Sequence, residues 1–252
     1  MWQNCLYISL NYEKMNTEKI KKIAIDNTPE VDIVVVENAF RHNVIDPLKG
    51  GSNIGIELGV AQGGFSKRMV DSKKFKKFYG VDSYSDTHDT DEYKLALKTV
   101  GINKNYNLLR MFFDDAYDLF EDNYFDFIYI DGYAHTGEEG GRTISKWYKK
   151  LKVGGVLAGD DYHENWPLVM WAVNSFVNQI GGKLFVTGKT EKIAFSEFPS
   201  WYIIKDKNVE DVNIPMMLDH YAHKEKDRIG AIRKRRVFIR NIERKLKKIF
   251  NR

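Results

Sequence analysis

The sequence has a single cysteine, Cys5, in 252 residues. That excludes a framework of intramolecular disulfides and a zinc site built from several cysteines, and it fits a reducing compartment. Long apolar runs are also lacking: no uninterrupted stretch approaches the roughly 20 residues of a membrane-crossing helix. The opening "MWQNCLYISLNYEKMNTEKIKK" shows no basic region followed by an apolar core and a small-residue cleavage site, so a cytoplasmic location is expected. Neither an internal repeat nor a low-complexity linker interrupts the chain. What is present is sufficient for a core, since 43% of the residues are hydrophobic and this length supports one globular domain with an extension.

Charge is spread unevenly. Residues 224–252 hold 13 Lys and Arg against three Asp and Glu, a net +10 within a chain of net +4, which leaves −6 for the first 223 residues. An acidic body carries a basic tail.

Along the body, apolar runs that end in glycine or aspartate alternate with segments of helical spacing. "SNIGIELG" (52–59), "KKFYGVDSY" (76–84), "YNLLRMFFDD" (106–115), "YFDFIYIDG" (124–132) and "VGGVLAGDD" (153–161) read as strands. "GGFSKRMVDS" (63–72), "EEGGRTISKWYKKL" (138–151) and "PLVMWAVNSFVNQIGG" (167–182) read as helices, the last started by Pro167 and stopped by Gly181. The alternation predicts an α/β fold with a mostly parallel sheet, which "KIAFSE" and "SWYIIKD" close as an antiparallel pair. Ligands of such sheets bind at the carboxyl ends of the strands.

The first chemical signal is "IELGVAQGG", with Glu57, Gly59 and Gly63 at a strand-to-helix turn. Glycine there lets a ligand approach the backbone, and the helix start offers free amides. A dinucleotide fingerprint would need glycine where Glu57 stands. A carboxylate before the turn repels a pyrophosphate and suits a cationic amino-acid group, such as the ammonium of S-adenosylmethionine; the alternative is a turn required only for packing. Asp82, at the end of the next strand, is placed to accept hydrogen bonds from both ribose hydroxyls of a nucleoside. In "FFDD", Phe113, Asp114 and Asp115 lie where an adenine could be stacked and its amine bound, although both aspartates equally suit a helix cap.

These residues, together with "FDFIYIDG" and "WYKKLKVGGVLAGDDY", resemble the class I S-adenosylmethionine-dependent methyltransferases over residues 50–205. More narrowly they resemble the metal-dependent sugar and natural-product O-methyltransferases, whose fourth and fifth strands read I-D-G-x-H and G-G-x-x-x-x-D-D. The resemblance implies a Rossmann-like fold with a seven-stranded sheet, helices on both faces and an antiparallel closing strand. It implies a cofactor site of Glu57, Gly59, Gly63, Asp82, Asp114 and Asp131, and a divalent metal, Mg²⁺, on Asp131, Asp160 and Asp161. Adjacent strands lie about 4.8 Å apart, so carboxylates at neighbouring ends converge and repel unless a cation shares them. Asp160 or Asp161 as a cap of the helix near Trp166 is the structural alternative.

Methyl transfer to a hydroxyl requires removal of its proton, and His135, four residues after Asp131, is the expected base, with His163 as the second candidate. The family's histidine falls one position earlier. Glu138 and Glu139 are expected to open the following helix, where acidic groups complement the dipole.

Residues 1–50 are expected to form a lid in which Trp2, Tyr7, Tyr12 or Phe40 stacks on a sugar. Residues 51–206 would be the methyltransferase domain and 207–252 a basic amphipathic extension. That extension, with Ile232, Phe238, Ile239, Ile242, Leu246, Ile249 and Phe250 broadly on one side, suits an anionic membrane surface. Ile232, Ile239 and Leu246 at seven-residue spacing suit a homo-oligomer, and the basic residues a nucleic acid, although no nucleic-acid module is present. The combined expectation is an O-methyltransferase acting on a sugar or glycan that could be lipid-linked. A catalytically silent binding module and a metal-independent methyltransferase are the alternatives.

Overall fold

The computed structural model describes residues 18–85, 88–102, 105–191, 196–209 and 212–250. Trp2, Tyr7, Tyr12 and most of "KIAFSE" lie outside the described residues.

Eight strands form one sheet: β1 (Ile33–Val36), β2 (Asn53–Leu58), β3 (Phe75–Val81), β4 (Tyr106–Leu109), β5 (Phe125–Ile130), β6 (Leu151–Gly159), β7 (Leu184–Thr187) and β8 (Trp201–Ile204). Their spatial order is β1-β7-β8-β6-β5-β2-β3-β4, with β8 alone antiparallel to both of its neighbours. This is the Rossmann-like arrangement expected, with one more strand. The added strand comes from the segment ahead of "SNIGIELG", where β1 pairs in parallel with β7, Ile33 opposite Leu184. Isolated from β7, "IVVV" has no glycine or aspartate ending to mark it.

The helices are α1 (18–27), α2 (Gly64–Asp71), α3 (Thr90–Val100), α4 (Phe113–Tyr117), α5 (Arg142–Tyr148), α6 (Pro167–Ile180) and α7 (Met216–Phe250). Both faces of the sheet are covered, as a parallel sheet requires. Alternation along β5 divides its residues between two buried clusters: Ile128 and Ile130 join Ile144, Trp147 and Leu157, while Phe127 and Tyr129 join Phe65, Met69 and Phe78.

Two expected elements differ. "YNLLRMFFDD" is a strand only to Leu109, and Asp114 and Asp115 lie inside the first turn of α4, whose N-cap is Phe112. Glu138 and Glu139 do not open a right-handed helix. They sit in a left-handed turn, Gly137–Gly140, at φ 57° and 53°, and α5 begins after Gly141. Left-handed backbone costs a non-glycine residue roughly 1–2 kcal/mol. Close packing demands it here, because a Cβ on Gly137 would lie 2.3 Å from the Leu168 carbonyl oxygen at the start of α6.

The start of α7 docks on the same turn. Leu218 and Ala222 are buried, a Cβ on Gly140 would meet the Ala222 methyl at 3.1 Å, and Lys226 pairs with Glu139 at 3.0 Å. No described helix is long and apolar enough to cross a membrane.

Candidate active site

The carboxyl ends of β2, β3, β5 and β6 meet at one edge, and backbone strain gathers there. Six of the eight described non-glycine residues with positive φ follow these strands: Ala61, Tyr84, Tyr133, Glu138, Glu139 and Asp161. Such strain persists only where the surrounding structure enforces it, and it clusters at functional sites.

The glycine turn after β2 is built by close approach. Gly59 has φ 98°, and a Cβ there would lie 2.3 Å from the carbonyl oxygen of Asp131. The backbone NH of Asp131 donates to the Leu58 carbonyl at 2.8 Å, so the ends of β2 and β5 are locked together. Gly63, at φ 82°, is the N-cap of α2. The Asp82 carboxylate accepts from the backbone NH of Val60 at 3.1 Å, of Ala61 at 3.0 Å and of Tyr84 at 3.0 Å, and thereby holds the turn's shape. A carboxylate has about four lone-pair sites, so this leaves it capacity for a ligand. Glu57 is buried and receives the Ser66 hydroxyl; burial, first of all, pushes its pKa well above the usual carboxylate range.

On the adenine side, Asp114 is exposed and pairs with Lys146 at 2.6 Å. Phe113 packs edge-on to Tyr133 at 5.1 Å, and Gly132 makes this possible, since a Cβ there would lie 2.8 Å from the Phe113 ring. A cleft of about 850 Å³ opens here, lined among others by Phe113, Asp114, Tyr133 and Trp147.

Asp131 and Asp160 do converge, but not on an open metal position. The Arg41 guanidinium stands between them, Nη2 on Asp131 and Nη1 on Asp160. Arg41 comes from a 3-10 turn, Arg41–Ile45, anchored by buried Val44 and Ile45. It is 3% exposed and lies 5.0 Å from the Phe65 ring and 5.1 Å from the Tyr129 ring, a cation–π setting. Ser200 donates to the other Asp160 oxygen at 2.8 Å. Among the described residues no group of three His, Cys, Asp or Glu side chains is arranged to hold a metal ion. An internal cation thus stands between two members of the expected set of Asp131, Asp160 and Asp161, and Asp161 sits at φ 60° on the turn beyond.

Carboxyl groups outnumber the one guanidinium here, and burial favours their neutral forms. Burial raises Asp131 to about 6, although Arg41 pulls against the shift. Asp160 is raised by burial, and Asp161 further, by burial and then by Asp160. Glu138, unmarked as a site residue by the sequence, is fully enclosed by the left-handed turn; burial and then Asp131 and Asp161 raise it well above the ordinary range. Among the described residues Glu138 Oε2 and Trp166 Nε1 are buried without a hydrogen-bond partner.

His135 lies in the 3-10 turn Ala134–Thr136, its ring edge-on to Trp166 at 4.5 Å. Trp166 in turn meets Phe198 at 6.1 Å, and His163 packs on Phe198 at 4.8 Å with Nδ1 accepting from the Asn165 NH. The two histidines therefore flank one aromatic group. Arg41 and Glu138 escaped the sequence reading because nothing local marks them; Arg41 is 90 and 119 positions from its partners.

Comparison with known proteins bears on the domain and the fold. Residues 54–162 match the family described as "Methyltransferase domain". A candidate O-methyltransferase from Klebsiella pneumoniae has a similar fold, with 13% identity, 76% of this chain and 90% of that one covered, and a TM-score of 0.50. The cofactor-bound Rv0187 from MTB is similar at 10% identity over 78% and 90% of the two chains, also with a TM-score of 0.50. A protein of Acanthamoeba polyphaga mimivirus, "Uncharacterized protein R132", is 28% identical over 145 residues, 55% of this chain and 65% of its own length. Residues 54–162 thus match a methyltransferase domain, and the sheet that carries them is Rossmann-like.

Proposed function

We propose that the protein transfers a methyl group from S-adenosylmethionine to a hydroxyl of a polyhydroxylated acceptor, a sugar or glycan. The observation that carries this reading is the excess of buried carboxylates over the single guanidinium at the strand ends. Buried carboxyl groups without enough cations favour a positively charged ligand, and the cofactor supplies a sulfonium whose methyl carbon accepts the incoming oxygen while the carbon–sulfur bond breaks.

The turn at Gly59 and Gly63 accommodates the amino-acid end, Asp82 the ribose, and Phe113 with Asp114 the adenine. Asp131 stands beside the transfer point. His135 takes the hydroxyl proton, with His163 across the aromatic group as the second candidate. Trp166 and Phe198, 6.1 Å apart between the two histidines, offer a polyhydroxylated ring apolar faces to stack on.

Calorimetric titration with S-adenosylhomocysteine tests the cofactor half without knowledge of the acceptor. Micromolar saturable binding is expected, weakened roughly 10- to 100-fold in Asp82→Ala, the size of one lost charge-assisted hydrogen-bond set. A folded protein that shows no binding refutes the reading.

The helix α7 runs on to Phe250 beyond its docked start, and residues 224–252 carry net +10. We assign this extension to an anionic membrane surface, which would bring the enzyme to a lipid-linked acceptor. Flotation with phosphatidylserine vesicles is expected for the full chain and not for one ending at residue 230; equal flotation rejects it.

A further inference from the structure

Carboxylates at the ends of adjacent strands need a positive charge between them if they are to stay ionised. We propose that Arg41 is that charge, a resident cation standing where a divalent ion would otherwise be required, so that transfer at this edge is independent of metal. This rests on the methyltransferase reading for its meaning, but not for its test.

Three observations converge on Arg41. Its two terminal nitrogens engage different carboxylates, Asp131 on β5's end and Asp160 on β6's end. A rigid planar fork spans such a pair as a compact ammonium cannot. The guanidinium is also enclosed, 3% exposed and packed on the rings of Phe65 and Tyr129. Finally, both Asp160 oxygens are engaged, one by Arg41 and the other by Ser200 at 2.8 Å. A metal ion entering here would meet a buried positive charge and carboxylates already engaged. Arg41 is therefore a positioning residue: it fixes the orientation of Asp131 beside the transfer point and sets the local charge. A group with a purely structural role elsewhere in the core would not govern whether metal binds at this edge.

Mn²⁺ binding to the full-length protein, followed by electron paramagnetic resonance at neutral pH, tests the proposal. The wild type is expected to show no saturable binding up to millimolar Mn²⁺. Arg41→Ala is expected to gain affinity roughly tenfold or more, because a nearby buried positive charge has been removed. Mn²⁺ should then raise the melting temperature of that variant and not of the wild type, since a ligand of the native state alone stabilises it. The gain should vanish in Arg41→Ala/Asp160→Asn. Arg41→Lys, which keeps the charge, should exclude the ion as the wild type does.

Tight stoichiometric binding by the wild type that is lost in Asp160→Asn overturns the proposal, and this arm needs no Arg41 variant to fold. A folded Arg41→Ala with no gain also overturns it, since the carboxylates would then not form a cation site at all. S-adenosylhomocysteine binding, measured on the same wild-type samples, reports separately on the methyltransferase reading: its absence with metal still excluded refutes that reading alone.

Discussion

Replacing Arg41 with methionine is expected to destabilise the protein by about 3–5 kcal/mol at pH 8, the usual result of removing one partner of a buried ion pair. Methionine conserves much of the side-chain volume, so the loss reports on charge more than on packing. Asp160 would be left buried, and Asp131 half-buried, without their cation.

The deficit is expected to shrink as pH falls. Asp131 is raised to about 6, with Glu57, Glu138 and Asp161 raised well above their usual range by burial. An acid whose folded-state pKa lies above its unfolded value binds its proton more readily when folded. Its charge penalises the fold above the folded-state pKa, and this penalty is relieved as pH drops through that value toward the unfolded one near 4. The wild type should therefore gain stability between pH 7 and about pH 5. Loss of Arg41 pushes Asp131 and Asp160 higher still, so protonation rescues the variant more than the wild type. Urea denaturation at pH 8 and pH 5 measures both, and a deficit of equal size at the two pH values would contradict the charge assignment.

Gly59→Val is expected to cost about 2–5 kcal/mol, the combined scale of a non-glycine residue at positive φ and of overpacking. Its Cβ would lie 2.3 Å from the Asp131 carbonyl oxygen, and φ at this position is 98°. The atom in conflict is backbone, which no rotamer change can move aside. The ends of β2 and β5 must separate, and the bond from the Asp131 NH to the Leu58 carbonyl goes with them. Loss of S-adenosylhomocysteine binding should exceed the loss of stability if, as proposed, the displaced turn holds the cofactor's amino-acid end. Calorimetry alongside thermal melting separates the two; a variant that melts and binds like the wild type would show that the approach of β2 and β5 matters little.

Strands β2 to β6 and β8 were legible because each is a short apolar run with an abrupt polar ending, and α6 because Pro167 and Gly181 bracket it; β7, the antiparallel partner of β8, was not, since "KIAFSE" was expected in that place. The helix–strand alternation then implied the parallel sheet and its functional edge. β1 was not legible: four residues of valine and isoleucine become a strand only when β7 supplies its hydrogen bonds. Nor was the left-handed turn at Glu138 and Glu139, because acidic residues before a helical pattern ordinarily belong to its first turn. Here contact with Leu168 and the docked start of α7 outweighs that preference.

Composition, periodicity and strand endings by themselves determined the fold class, the sheet edge proposed for the chemistry and the acidic character of Glu57, Asp82, Asp131, Asp160 and Asp161. These are local properties, carried by neighbours a few residues apart. Only the tertiary structure decided what balances those charges. Three carboxylates at adjacent strand ends call for a cation, but whether it is a metal ion or a side chain depends on a residue far away along the chain. The apolar anchor of Val44 and Ile45 brings Arg41 across the sheet edge, and electrostatic attraction in a buried setting holds it between Asp131 and Asp160.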